Sequence, residues 1–84
     1  MNIEINIHLV KAIADMAIFL EFSDENVVDD DAAIAVLEQM GAELQLMDEA
    51  TKSSFIAKLA VISNDYSDDQ SDFVSGLAES LGLL

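Results

Sequence analysis

IEINIHLVKAIADMAIFLEF, residues Ile3 to Phe22, is the most apolar helical segment of the chain, and its reading decides the fold. Its polar residues Glu4, His8, Lys11 and Asp15 recur at spacings of four, three and four. At about 100° per residue they fall on one narrow stripe, which is the period of a helix. Around that stripe lie Ile5, Ile7, Leu9, Val10, Ile13, Met16, Ala17, Phe19 and Leu20. A helix apolar over most of its circumference needs cover on several sides. The expectation is a central helix, about residues 4–22, against which the other segments pack. The alternation Ile3-Glu4-Ile5-Asn6-Ile7 also fits a short strand, so the first residues are open between the two.

Three further helices follow. The second, about 30–47, carries Ala33, Leu37, Met40, Leu44 and Met47 as a core seam, widened by Val36. Asp29, Asp30 and Asp31 stand directly before it; acidic groups there complement the positive end of the helix dipole, and one of them is expected to cap. Gly41 lies inside this helix at a cost of about 0.8–1.0 kcal/mol relative to alanine. It marks either the close approach of another helix or a break into two shorter ones. The third helix, about 49–64, is capped by Asp48 or Thr51 and repeats Phe55, Leu59, Ile62 and Tyr66, with Lys52 and Lys58 outward. The fourth, about 68–81, opens on Ser67-Asp68-Asp69-Gln70, the pattern of a capping box. Phe73, Leu77 and Leu81 form its stripe, and Gly82 sits where a left-handed C′ glycine would. The fold class expected is all-α, a single domain over residues 1–84. It is a compact four-helix bundle with short connections, or a five-helix one if a helix breaks.

The chain has no cysteine, which excludes disulfides and thiolate metal sites. No basic region precedes the apolar run and charges interrupt it, so neither a signal peptide nor a membrane span is expected, and the localisation expected is cytoplasmic. Seventeen acidic residues face three lysines and no arginine, for a formal net charge of −14. A surface this acidic repels nucleic acid and anionic membrane and attracts basic surfaces. Solubility alone calls for a magnitude of about 2–8 in a small domain. The excess is explained either by solubility or by a basic partner.

Chemistry has few candidates. His8 has no cysteine to activate and shares its stripe with Glu4 and Lys11, which fits a solvated histidine better than a catalytic base. EF-hand registers starting at Asp24 or Asp65 lack the glycine at position 6 and the glutamate at position 12. An acyl-carrier reading fails because no Asp-Ser-Leu occurs. The chain therefore reads as a non-enzyme without cofactor or metal.

Two acidic clusters remain. Glu21, Asp24, Glu25, Asp29, Asp30 and Asp31 surround the junction of the first two helices; Asp65, Asp68, Asp69 and Asp72, with Tyr66 among them, surround the junction of the last two. In an up-down-up-down bundle the two junctions share one end. The candidate partner-binding residues are Asp24, Glu25, Asp29, Asp30, Asp31, Asp65, Tyr66, Asp68, Asp69 and Asp72. Tyr66 is either an aromatic anchor for the partner or the last residue of the third helix's core stripe.

The acidic interhelical stretch Asp29-Asp30-Asp31, and the ending Tyr66-Ser67-Asp68-Asp69-Gln70 through Phe73-Val74, Leu77 and Leu81-Gly82-Leu83, give the chain a likeness in style. It resembles the small acidic helical immunity proteins of bacterial polymorphic-toxin and contact-dependent-inhibition systems. That resemblance implies a cytoplasmic inhibitor that binds one cognate toxin, often a nuclease with a basic cleft, and blocks its substrate. Two alternatives stand beside it: a nucleic-acid mimic that inhibits a DNA-binding protein, and a structural or homodimerisation module whose acidity serves solubility.

Overall fold

Asn6 begins the first helix: its side-chain oxygen accepts the His8 amide at 2.8 Å, satisfying one of the orphan donors of the first turn. The structure, a computed structural model, describes residues 4–84. Helix α1 spans Ile7–Phe22, so the helix starts later than its polar stripe suggested. Residues 4–6 precede it without regular structure, and the Ile5 amide donates to Ser54 Oγ at 3.0 Å instead of to a strand partner. Ile3, the first residue of the strand alternative, lies outside the described residues.

Helix α2, Asp30–Leu44, is capped by Asp29, whose carboxylate accepts the Ala32 amide at 3.0 Å. Helix α3, Glu49–Ile62, is capped by Asp48 through the Thr51 amide at 2.7 Å. That bond holds the Asp48 carboxyl below its ordinary range, because it stabilises the charged form. A one-turn 3-10 helix, Ser63–Asp65, closes α3 two residues early. Helices α4, Asp68–Ser75, and α5, Leu77–Ser80, complete a compact all-helical five-helix bundle with short connections and no sheet among the described residues.

The fifth helix arises at Gly76, which interrupts the expected fourth helix, while α2 runs unbroken through Gly41. At Gly41 a Cβ would stand 2.8 Å from the Leu81 carbonyl oxygen, so the glycine serves close approach of the C-terminal segment. Gln45 Nε2 donates to that same carbonyl at 2.9 Å. The chain ends in a Schellman motif: Gly82 has φ 76°, its amide bonds to Glu79 O at 3.0 Å, and the Leu83 amide bonds to Ala78 O at 2.9 Å.

The capping box at Ser67 does not form. Ser67 is the N-cap residue but its hydroxyl makes no capping bond, and Asp68 takes φ 52°. This left-handed first residue turns the chain sharply into the helix, out of line for the reciprocal bonds. Ser71 instead ties α4 down, its hydroxyl donating to the Ser63 carbonyl at 2.9 Å.

Helices α1 and α3 run side by side in the same direction. Ser54, near the start of α3, bonds to Ile5, and Tyr66, just past its end, reaches Lys11 and Asp15. Their shared core holds Val10, Ala14 and Ala17 from α1 and Phe55, Leu59 and Ile62 from α3. Val74, Leu77, Ala78, Leu81 and Leu83 close it from the C-terminal side. Val74 is the deeper residue of α4, whereas Phe73 sits half-buried against Phe22, edge to face at 5.6 Å. Lys52 and Lys58, expected to point outward, are mostly covered and pair with Glu49 at 3.6 Å and Glu4 at 3.8 Å.

Helix α1 buries one face only. Leu9, Met16 and Phe19 are 59%, 52% and 54% exposed. With Ala12 they recur at three, four and three residues, a continuous apolar stripe on the side opposite Val10 and Ala14. The expectation of cover on several sides is therefore met on the core side and along α2 but not on this one. The other helices pack on the face of Val10, Ala14 and Ala17 and leave Leu9, Met16 and Phe19 uncovered.

Candidate functional site

The first acidic cluster is built on the turn between α1 and α2. Asp24 shapes it: its carboxylate accepts the Asn26 amide at 2.8 Å and its carbonyl accepts the Val27 and Val28 amides at 2.9 and 3.0 Å. Asp29 caps α2, and Asp30 and Asp31 occupy its first turn, where the helix dipole favours them. Glu21, Asp24, Glu25, Asp29, Asp30 and Asp31 are all exposed. Glu25 and Asp30 stand close enough to share a hydrogen bond, and that bond with the Asp30 charge raises the Glu25 carboxyl above its ordinary value. Val27, 65% exposed, and Phe22, 44% exposed, add apolar surface to the turn.

The second cluster is differently placed. Tyr66 lies half-buried against the core, its hydroxyl donating to the Asp15 carboxylate. Lys11 Nζ sits 4.6 Å from its ring centroid and 3.5 Å from its hydroxyl. Burial, then the hydrogen bond to Asp15 and the charges of Asp15 and Asp65, push the phenol well above its ordinary value. The α3–α4 junction is thus pinned beside Lys11–Asp15, about 10 Å short of the end of α1 at the helical rise. The chain passes from α3 into α4 before the end of α1, and α4 runs on from there to meet Phe22 through Phe73. Asp65, Asp68, Asp69 and Asp72 are exposed around this junction. Tyr66 is committed to contacts within the chain, as the last residue of α3's stripe.

Each lysine is likewise committed: Lys11 to Tyr66, Lys52 to Glu49 and Lys58 to Glu4. The turn from Glu21 to Asp31 contains no cationic residue. Among the described residues no three carboxylate or imidazole side chains converge to hold a metal ion. No described helix is long and apolar enough to cross a membrane.

Beside the turn runs a groove of about 460 Å³ between α2 and the C-terminal helices. Ile34, Leu37, Phe73 and Leu77 supply its apolar lining, and Glu21, Glu38 and Glu79 stand along it. A second cavity of about 220 Å³ shares Glu21, Ile34 and Leu37 and reaches Asp30, joining the groove to the acidic turn. Glu38, Glu79 and Ile34 do not figure among the sequence-based candidates. Gly41 was the one sequence signal for this feature, since a glycine that admits the C-terminal backbone also sets α2 beside α5.

Comparison with protein-family models, with curated proteins and with solved structures yields no match. The fold and surface define an acidic all-helical bundle.

Proposed function

We propose that this protein is a non-enzymatic inhibitor of the immunity type, which binds a basic protein and blocks it, a nuclease toxin being the partner class that fits best. One observation carries the reading: every lysine is engaged within the chain, leaving the six carboxylates of the α1–α2 turn exposed and unopposed. Like charges crowded together, as Glu25 and Asp30 are, are stabilised by an incoming cation. A field of one sign also steers a basic partner, with association approaching about 10⁸–10⁹ M⁻¹s⁻¹ at low salt. Val27 and Phe22 offer apolar contact inside that field.

The test is capture from a lysate of the source cells at low salt, followed by assay of the captured protein's nucleic-acid hydrolysis with and without the purified bundle. The expected result is a basic nuclease that the bundle stops, with both capture and inhibition lost on Asp29→Asn, Asp30→Asn and Asp31→Asn together. Capture that survives those substitutions, or an unaffected nuclease, overturns the reading.

A second reading, a homodimerisation module, is favoured by the bare stripe Leu9, Met16 and Phe19 on α1. Sedimentation separates the two. A dimer that Met16→Glu converts to a monomer supports this second reading, and a monomer at all accessible concentrations rules it out.

A further inference from the structure

We propose that the groove between α2 and α4–α5 is the docking site for an amphipathic helical segment whose apolar face is edged by lysine or arginine. The proposal deepens the basic-partner reading and rests on it, placing the anchoring contact in the groove rather than in the acidic turn alone.

Shape is the first argument. The groove's volume of about 460 Å³ lies within the range of small binding clefts, about 300–1,000 Å³. From Ile34 to Gln45 it follows α2 for about 16 Å at the helical rise, the length of three turns of a partner helix. Helix-in-groove recognition uses apolar anchors at that spacing. The receiving surface is already apolar and open: Ile34 is 54% exposed and Phe73 and Leu37 are half-buried, while Leu77 and Leu81 form the floor.

Charge is the second argument, and it selects the occupant. Glu38 stands on the α2 wall, Glu79 on the α5 wall and Glu21 at the α1 end, while no lysine lines the groove. A second copy of this chain, at formal net charge −14, would bring carboxylates against carboxylates. A helix with cations on both flanks of an apolar strip meets a glutamate on either wall. The adjoining cavity carries the same surface onward to Asp30, so the groove and the turn act as one continuous face.

The groove is also held open by the backbone. The Leu81 carbonyl rests on Gly41 and accepts from Gln45, which fixes the separation of α2 from the C-terminal segment at the lower end.

The experiment titrates the full chain with a synthetic helical peptide of leucine and lysine, arranged with one apolar face, and maps amide and methyl shifts by NMR. A leucine–glutamate peptide of the same pattern is the counter-probe. The expected result is saturable binding of the lysine peptide alone, with the largest shifts at Ile34, Leu37, Phe73 and Leu77. Ile34→Ser, at an exposed position, should weaken it about tenfold, the equivalent of about 1.4 kcal/mol. Glu38→Gln should weaken it several-fold, and Glu43→Gln, an equal change of charge on the same helix away from the groove, should not. A footprint confined to Asp24–Asp31, or equal effects of Glu38→Gln and Glu43→Gln, overturns the groove and leaves the basic-partner reading standing. Absence of saturable binding, or equal binding of the glutamate peptide, overturns the groove as well. The reading of a basic partner falls separately, by the capture and inhibition assay.

Discussion

Helices α2 and α3 are nearly equal in length, fifteen and fourteen residues, yet they are held very differently. Helix α3 buries Phe55, Leu59 and Ile62 almost completely. Helix α2 buries only Ala33 and Gly41, and its seam residues Leu37, Met40 and Leu44 remain partly open. Both grooves lie along α2 and neither lies along α3. An apolar seam does not by itself yield a buried helix; it yields one only where enough neighbours exist. What the neighbours leave open along α2 is the surface that the proposed partner would cover.

The largest effect that would test this contrast is at the core. Phe55→Ala should cost about 3–5 kcal/mol in denaturant unfolding, a large share of a small domain's stability, whereas Leu37→Ala should cost less than about 2 kcal/mol. Equal costs would mean that α2 is as deeply embedded as α3.

The second effect is at the α2 contact with the C-terminus. Gly41→Ala should lose about 1–3 kcal/mol, because the new methyl meets the Leu81 carbonyl, a rigid group, at 2.8 Å. Without that contact the same change would gain about 0.8–1.0 kcal/mol from helix propensity, so the sign of the measured change decides. Gly82→Ala, at φ 76°, should cost about 1–2 kcal/mol, since a left-handed conformation is strained for any L side chain.

Hydrogen exchange offers a third comparison without mutation. The middle of α3 should exchange only through global unfolding, and the middle of α2 should exchange through cheaper local opening and so faster. Similar protection of the two helices would remove the distinction.

The smallest effect is in pH. The Glu25 carboxyl is raised in the folded protein, so its contribution is fully present below its ordinary value of 4.5 and is lost as pH rises through the higher folded value. Asp48 is lowered, so its contribution is present above its ordinary value of 3.8 and is lost as pH falls through the lower folded value. Glu25 should therefore contribute a slight rise in melting temperature as pH falls through its raised value toward 4.5, and Asp48 a slight fall as pH drops below 3.8. Glu25→Gln should flatten the rise and leave the acid limb unchanged.

Local rules were legible in the chain wherever their physics is local. The pattern narrowed the caps to Asp29, Asp30 or Asp31 and to Asp48 or Thr51, and placed the left-handed Gly82; hydrogen bonds and sterics within a few residues select Asp29 and Asp48 and hold Gly82. The exception, Ser67, fails because the left-handed Asp68 beside it overrides the pattern. Gly41 left a close approach and a helix break open, the structure selecting the first, and Gly76 gave no signal that it would divide the fourth helix.

From its amino acids alone the protein is determined to be all-helical, acidic and bounded by those caps, because periodicity, charge and capping are properties of short stretches. Tertiary structure alone decided which apolar faces found cover. Helix α1 offers apolar residues nearly all round, and periodicity cannot say how many neighbours will arrive. Packing spent the short C-terminal helices on the Val10–Ala17 face, left Leu9, Met16 and Phe19 bare, moved Tyr66 inward onto Lys11 and Asp15, and opened the groove beside Ile34.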